Sequence, residues 1–147
     1  MKIRKAGRAF FVASVAVGMT VALQGVASAA SYTYRATNVS GGPDWDQLKA
    51  CSNVTYKGEA GRACFQPYGD KFWVQDLKAD GYRVEMNAQV NVNGNWYHCL
   101  DSHGAAAGWT YCTFASVVPE NARIAYNSSV WDGSKGLATG TLLATDT

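Results

Sequence analysis

Residues 82–92 read YRVEMNAQVNV, and this stretch decides the fold class. Tyr82 and every second residue after it are apolar, whereas the residues between them are polar or charged. This period of two predicts a β-strand with one buried face and one solvated face. The Asn-Gly-Asn sequence at 93–95 is typical of a hairpin turn, so a second strand is expected at 96–100.

Further short runs, rich in aromatic and β-branched residues and separated by turn residues, predict the remaining strands. These runs are 32–39, 54–56, 62–65, 71–77, 109–114 and 123–131, with one last edge strand expected within 134–147. Only 44–50 has a helical pattern, with Asp44 as its N-cap. The pattern as a whole predicts an all-β protein, a single antiparallel β-sandwich of about seven to nine short strands.

The N-terminal segment 1–29 is predicted to be a secretory signal peptide. Its first eight residues are rich in basic side chains, an apolar run follows at 10–23, and Ala-Ser-Ala at 27–29 is a small-residue cleavage site. The run is shorter than the roughly 20 residues that cross a bilayer as a helix, which argues against an uncleaved anchor. We expect export by the general secretory pathway and an extracellular β-sandwich domain spanning 30–147.

Cleavage would change the charge of the protein. The whole chain has 13 basic and 11 acidic residues, a formal net charge of +2. Lys2, Arg4, Lys5 and Arg8 lie in the signal peptide, so the domain 30–147 keeps nine basic residues and a formal charge of −2. Nucleic acids and anionic membranes bind basic surfaces, so neither is an expected partner.

Four cysteines predict two disulfides in an oxidising compartment. Sequence alone allows three pairings of Cys51, Cys64, Cys99 and Cys112. The spacing of 13 residues in both halves favours Cys51–Cys64 and Cys99–Cys112, each closing a β-hairpin over a glycine-containing turn. There is no Cys-x-x-Cys motif, which argues against a metal or redox site.

The sequence contains only weak candidates for catalytic or metal-binding motifs. His98 and His103 flank Asp101 and Ser102, a set that suggests a small hydrolase, but no nucleophile elbow or oxyanion motif accompanies them. Nucleotide fingerprints, calcium loops and metal-ligand spacings are missing from the sequence. We therefore expect a protein that is not an enzyme, with no catalytic residues, no metal and no cofactor.

Aromatic residues are the richest feature, with five tryptophans and eight tyrosines. Most are expected in the core, because aromatic side chains bury a large area. Exposed tryptophans can stack on the apolar faces of sugar rings, and Trp45, Trp73 and Trp96 are the candidates for ligand contact. Phe72 and Trp73 are consecutive in one strand and point to opposite faces, so one of the two is expected at the surface.

A central block resembles a known group of proteins. The segments 63–70 (ACFQPYGD), 72–76 (FWVQD) and 78–81 (KADG) are similar to part of the small secreted actinobacterial proteins, especially those of Streptomyces. The resemblance implies a secreted two-disulfide β-sandwich and carries no assigned activity. One setting in such bacteria is a secreted toxin particle that contains a small β-rich adaptor.

Three alternatives for function follow from these observations. The first is a secreted, non-enzymatic binding or assembly protein that acts through contact with another secreted protein, such as an adaptor in a toxin complex. The second is a carbohydrate- or cell-wall-binding module that uses exposed tryptophans, and the third is an inhibitor of an extracellular enzyme. The disulfide-linked scaffold without catalytic motifs favours the first.

Overall fold

The computed structural model describes residues 28–147, which form two β-sheets packed face to face. Residues 1–27 of the predicted signal peptide lie outside the described residues. The strands are β1 (Ser31–Arg35), β2 (Thr37–Asn38), β3 (Cys51–Thr55), β4 (Glu59–Gln66), β5 (Lys71–Asp76), β6 (Arg83–Val90), β7 (Trp96–Asp101), β8 (Trp109–Thr113), β9 (Arg123–Asp132), β10 (Lys135–Thr139) and β11 (Leu143–Asp146). The predicted all-β sandwich is confirmed.

Sheet A contains β1, β7, β6, β9 and β10 in that order, and β11 pairs with the other half of β9 beside β10. Sheet B contains β2, β8, β5, β4 and β3. The described part of the chain has eleven strands, more than the seven to nine predicted. The excess arises because the N-terminal run divides into β1 and β2, and the C-terminal segment forms two strands.

One strand pair departs from the expected antiparallel arrangement. β1 runs parallel to β7, whereas β2 pairs antiparallel with β8 in the other sheet. The chain changes sheets at the buried Ala36, whose N–H donates to the carbonyl oxygen of Leu100. Because the N-terminal run enters from outside the hairpins, its direction in sheet A is not constrained by a tight turn.

β6 shows the alternation that the sequence predicts. Val84, Met86, Ala88 and Val90 are buried between the sheets. The strand is paired on both sides, with β7 and with β9, over most of its length. It ends at Val90 because the chain turns at 91–93 into β7. The strand that decides the fold class is therefore central to its sheet.

Both predicted disulfide pairings are confirmed, but only one closes a hairpin. Cys51 and Cys64 are register partners on the adjacent strands β3 and β4. Cys99 lies on β7 in sheet A and Cys112 on β8 in sheet B, so the second disulfide joins the two sheets through the core. The predicted second hairpin is wrong, because the segment between these strands, with a 3-10 turn at Ala105–Ala107, carries the chain across the sandwich.

The predicted helix at 44–50 is also wrong. The chain makes a turn there, in which the backbone N–H of Asp46 donates to Oδ1 of Asp44. Seven residues are too few for a stable helix without extensive packing. The loop instead covers the outer face of sheet B, where Leu48 packs on a small second core that contains Trp73 and Trp109.

Asp70 makes the stability of the fold depend on pH. It lies in the turn between β4 and β5, and burial together with the nearby Glu120 carboxylate raises the pKa of Asp70 from 3.8 to about 6. The folded state therefore holds this proton at pH values where the unfolded chain has released it. The contribution of Asp70 to stability falls as the pH rises from about 4 to about 6.

We expect Asp70→Asn to be more stable than the wild type at pH 8, by about 3 °C in Tm, and equally stable near pH 3. The amide removes the buried charge, and asparagine tolerates the left-handed backbone of this position (φ 43°). Thermal unfolding across this pH range measures the effect. The matched control is the exposed Asp46→Asn, and the prediction fails if both variants shift equally or if Asp70→Asn is destabilised at pH 8.

Candidate ligand-binding cleft

The outer face of sheet A carries the polar half of the alternation in β6. Arg83, Glu85, Asn87 and Gln89 alternate with the core residues and therefore point away from sheet B. The outward residues of the flanking strands are Trp96, His98 and Leu100 on β7, and Arg123, Ala125, Asn127, Ser129 and Trp131 on β9. Together they form a polar strip with an indole on each flanking strand.

Asn87 holds the centre of this strip. Its register partners are His98 on β7 and Asn127 on β9. Its Nδ2 donates to Oγ of Ser129 at 2.6 Å and to Oδ1 of Asn127 at 3.3 Å, and its Oδ1 lies 2.8 Å from Nδ1 of His98. Three neighbouring strands are therefore linked by one amide side chain.

These contacts determine the tautomer and the charge of the His98 imidazole. An amide oxygen only accepts hydrogen bonds, so Nδ1 of His98 carries the proton and donates it to Asn87. Burial lowers the pKa of His98, and the nearby Glu85 carboxylate opposes this shift without cancelling it. The imidazole is therefore neutral at pH 7, and Nε2 is a hydrogen-bond acceptor with no partner among residues 28–147.

Arg83 and Glu85 bring charge to one end of the strip. Nε of Arg83 donates to Oε1 of Glu85, the one ion pair within the described part of the chain. Arg83 also donates to the carbonyl oxygen of Gly133, and its guanidinium lies 5.6 Å from the centre of the Trp131 ring. Glu85 is only 4% exposed, so its charge depends on this partner.

The two tryptophans stand at opposite ends of the strip. Trp96 is the register partner of Gln89, is 42% exposed, and stacks beside the His98 ring with an interplanar angle of 10°. Trp131 is the register partner of Arg83, and its Nε1 donates to Oγ of Ser129 at 2.7 Å. Each indole is thus held by a side chain of the strip itself.

A cleft of about 260 Å³ lies on this face. The residues that line it are Ser31, Thr33, Arg83, Glu85, His98, Leu100 and Trp131. β1 supplies one wall through the hydroxyls of Ser31 and Thr33, and Trp131 closes the far end. The cleft therefore places hydroxyl, carboxylate, guanidinium and imidazole groups beside an aromatic surface, and so offers hydrogen-bond donors and acceptors next to an apolar ring.

A larger cleft of about 430 Å³ lies at one end of the sandwich, between the loops 76–83 and 102–106. Most of the polar side chains that line it are hydrogen-bonded to nearby backbone groups. Oδ1 of Asp76 accepts the backbone N–H of Lys78, Nζ of Lys78 donates to the carbonyl oxygens of Tyr56 and Lys57, and Nε2 of His103 lies 2.9 Å from the carbonyl oxygen of Ala36. These contacts hold the two loops in place, which leaves the sheet A cleft as the better candidate site.

The predicted hydrolase set is not assembled. The imidazole of His98 contacts Asn87 on the outer face of sheet A, whereas Asp101 is fully buried on the inner side of the same strand. In the described residues no imidazole donates to the Asp101 carboxylate, as a Ser-His-Asp arrangement would require. Residues 28–147 also hold no group of three His, Cys, Asp or Glu side chains placed to bind a metal ion.

The three predicted ligand tryptophans are not brought together. Trp45 is 60% exposed and packs edge-on against Trp109 over sheet B. Trp73 lies on that same outer face but is only 6% exposed beneath the 39–50 loop, and its Nε1 donates to Gln66. Trp96 alone lies on the outer face of sheet A.

Sequence reasoning missed Trp131 and the polar strip as parts of one site. The signal was present in the polar positions of 83–89, which the sequence presents only as a solvated face. Their partners on β9 are about 40 residues away in the chain, and the weak alternation of 123–131 does not reveal which of its residues share that face.

Comparison of the chain with protein-family models, with curated proteins and with solved structures returns no match. Within the described residues no helix is both long and apolar enough to cross a membrane. The two disulfides indicate an oxidising, extracellular environment.

We expect the two histidines to be opposite tautomers, which gives the site an internal control. His98 should carry its proton on Nδ1 because it donates to Asn87, and His103 on Nε2 because it donates to the Ala36 carbonyl. Nitrogen-15 NMR of the imidazoles at pH 8 distinguishes the two forms, and a pH titration should place the pKa of His98 below 6.5. An Nε2-protonated His98 would contradict the network.

Proposed function

We propose that this protein is a secreted, non-enzymatic binding protein that binds carbohydrate in the cleft on the outer face of sheet A. The observation that carries the proposal is that the cleft, with Trp131 in its lining, adjoins the polar strip centred on Asn87 and the exposed Trp96 on one face. Sugar rings have apolar faces of C–H groups and a rim of hydroxyl groups. They therefore bind where an aromatic surface adjoins oriented donors and acceptors.

The strip is suited to hydroxyl groups because its side chains are already oriented. Asn87, Asn127, Ser129 and His98 form one hydrogen-bonded chain across three strands. Side chains that are fixed before binding lose little conformational entropy on binding. Nε2 of His98 then accepts from a sugar hydroxyl, and the hydroxyls of β1 supply further contacts.

The chemistry of the cleft favours binding over hydrolysis. Glycoside hydrolysis generally needs two carboxyl groups on either side of the scissile bond. Glu85 is the one carboxylate that lines the cleft, and its Oε1 is bound to Arg83. A carboxylate held in an ion pair is a poor proton donor, which supports a binding protein rather than a glycosidase.

We expect the wild type to bind a soluble neutral polysaccharide and Trp96→Ala to bind it about tenfold more weakly, because a stacking contact is lost. Affinity electrophoresis on a panel of plant, fungal and bacterial cell-wall glycans measures this. The matched control is Trp45→Ala, which removes an exposed tryptophan from the opposite face of the molecule. The proposal is wrong if no glycan retards the wild type, or if both variants lose binding equally.

A second candidate function is contact with another secreted protein at the edge of sheet A. Among the strands of residues 28–147, β1 pairs only with β7, and most of its residues are exposed. In a parallel pair, only every second residue of an edge strand hydrogen-bonds to the neighbouring strand. Ala30 and Ala36 bond to β7 in this way, so the N–H groups of Ser31, Thr33 and Arg35 face the free edge. Such an edge can accept a strand from a partner.

Hydrogen exchange separates the two candidates. A partner strand added to β1 is expected to protect the amides of Ser31, Thr33 and Arg35, whereas a glycan in the cleft contacts side chains and leaves these amides exchanging. A candidate partner that binds without protecting them does not use the edge.

A further inference from the structure

We infer that the ligand of the sheet A cleft is an uncharged chain of several sugar rings that reaches from Trp96 to Trp131. This inference rests on the proposed function and adds the length and the charge of the ligand. It follows from the register that separates the two indoles and from the internal neutralisation of the only charged groups in the cleft lining.

The length of the ligand is inferred from the geometry of the strands. Trp96 is aligned with Gln89 and Trp131 with Arg83, six residues apart along β6. At about 3.4 Å per residue this separation is about 20 Å along the strands. That distance is several times the width of one pyranose ring, so a single sugar cannot contact both indoles. Only a chain of several sugars can gain binding energy from both indoles.

The surface between the indoles is continuous and polar. From Trp96 the strip passes to the stacked ring of His98, then to Asn87 and Ser129, whose Oγ accepts from Nε1 of Trp131. His98 and Asn87 are half-buried along this path and can contact successive sugars, whereas Ser129 is buried and holds Asn87 and Trp131 in position. The hydroxyls of Ser31 and Thr33 border the same path on the side of β1.

The charge of the ligand is inferred from the residues that line the cleft. Arg83 and Glu85 are the charged side chains among the lining residues, and they neutralise one another in an ion pair. His98 is neutral at pH 7. Arg35 and Arg123 also face outward from sheet A and are exposed, at the ends of β1 and β9, but neither lines the cleft. A uronate, a sulfated sugar or a phosphate-bearing chain therefore meets no unpaired cation in the cleft and would lose hydration without compensation.

Isothermal titration with neutral oligosaccharides of increasing length tests the inference on the intact domain. The probes are the disaccharide to hexasaccharide of whichever neutral glycan the electrophoresis panel identifies, together with uronate oligosaccharides of the same lengths. We expect the hexasaccharide to bind at least about tenfold more tightly than the disaccharide, since it alone reaches both indoles. We expect the uronate chains to bind more weakly than neutral chains of equal length.

Variants assign the effect to the two indoles. Trp131→Ala should lower hexasaccharide affinity about tenfold and leave disaccharide affinity at the Trp96 end unchanged, whereas Trp131→Tyr keeps a ring on β9 and should recover most of the loss. Trp45→Ala is the control on the opposite face. Glu85→Gln leaves the Arg83 charge unpaired and should raise the affinity for the uronate chains relative to the neutral ones.

The outcomes separate this inference from the proposal on which it rests. If a neutral glycan binds but the disaccharide and hexasaccharide bind equally, if Trp131→Tyr fails to recover binding, or if uronate chains bind more tightly to the wild type, the inference is overturned and carbohydrate binding stands. If no glycan of any length or charge binds the folded wild type, the proposed function and the inference fall together.

Discussion

The pairing of β6 with β7 on one side and β9 on the other is the constraint on which the rest of the structure depends. Its side chains alternate, so one register decides the composition of both faces of sheet A. The register that buries Met86 opposite Cys99 also places Asn87 opposite His98. A slip by one residue would bring charged and amide side chains into the core and would disassemble the cleft.

The Cys99–Cys112 disulfide ties this register to the other sheet. It joins β7, the immediate neighbour of β6, to β8 across the core. A disulfide that closes a loop of this length contributes about 3 kcal/mol by restricting the unfolded chain. Cys51–Cys64 spans an equal loop but links strands that already pair. Only the inter-sheet disulfide therefore adds a connection that the hydrogen-bonded ladders do not supply.

Sequence reasoning predicted the elements well and their associations poorly. The alternation of 82–92 predicts both faces of β6, because it reports a local property of one strand. The cysteine spacing predicts the correct pairs but not the inter-sheet role of Cys99–Cys112, because spacing does not tell which sheet a strand joins. The parallel β1 and the covering loop over Trp73 are likewise consequences of contacts between distant segments.

The cleft was unpredictable for the same reason. Trp96 is recognisable as a tryptophan beside a turn, but its relation to Trp131 exists only through β6, to which each is paired. Asn87 has no motif that marks it, and its importance comes from the three side chains that surround it. A site built across three strands is therefore visible only when the register is known.

The most direct test of the account is an NMR titration of the isotope-labelled wild-type domain with a neutral oligosaccharide, which records chemical-shift changes. The account predicts changes at the indole N–H groups of Trp96 and Trp131 and at the side-chain amides of Asn87 and Asn127, with Trp45 and Trp73 unchanged. Changes confined to Trp45 and Trp73, or to the loops at the end of the sandwich, would contradict it.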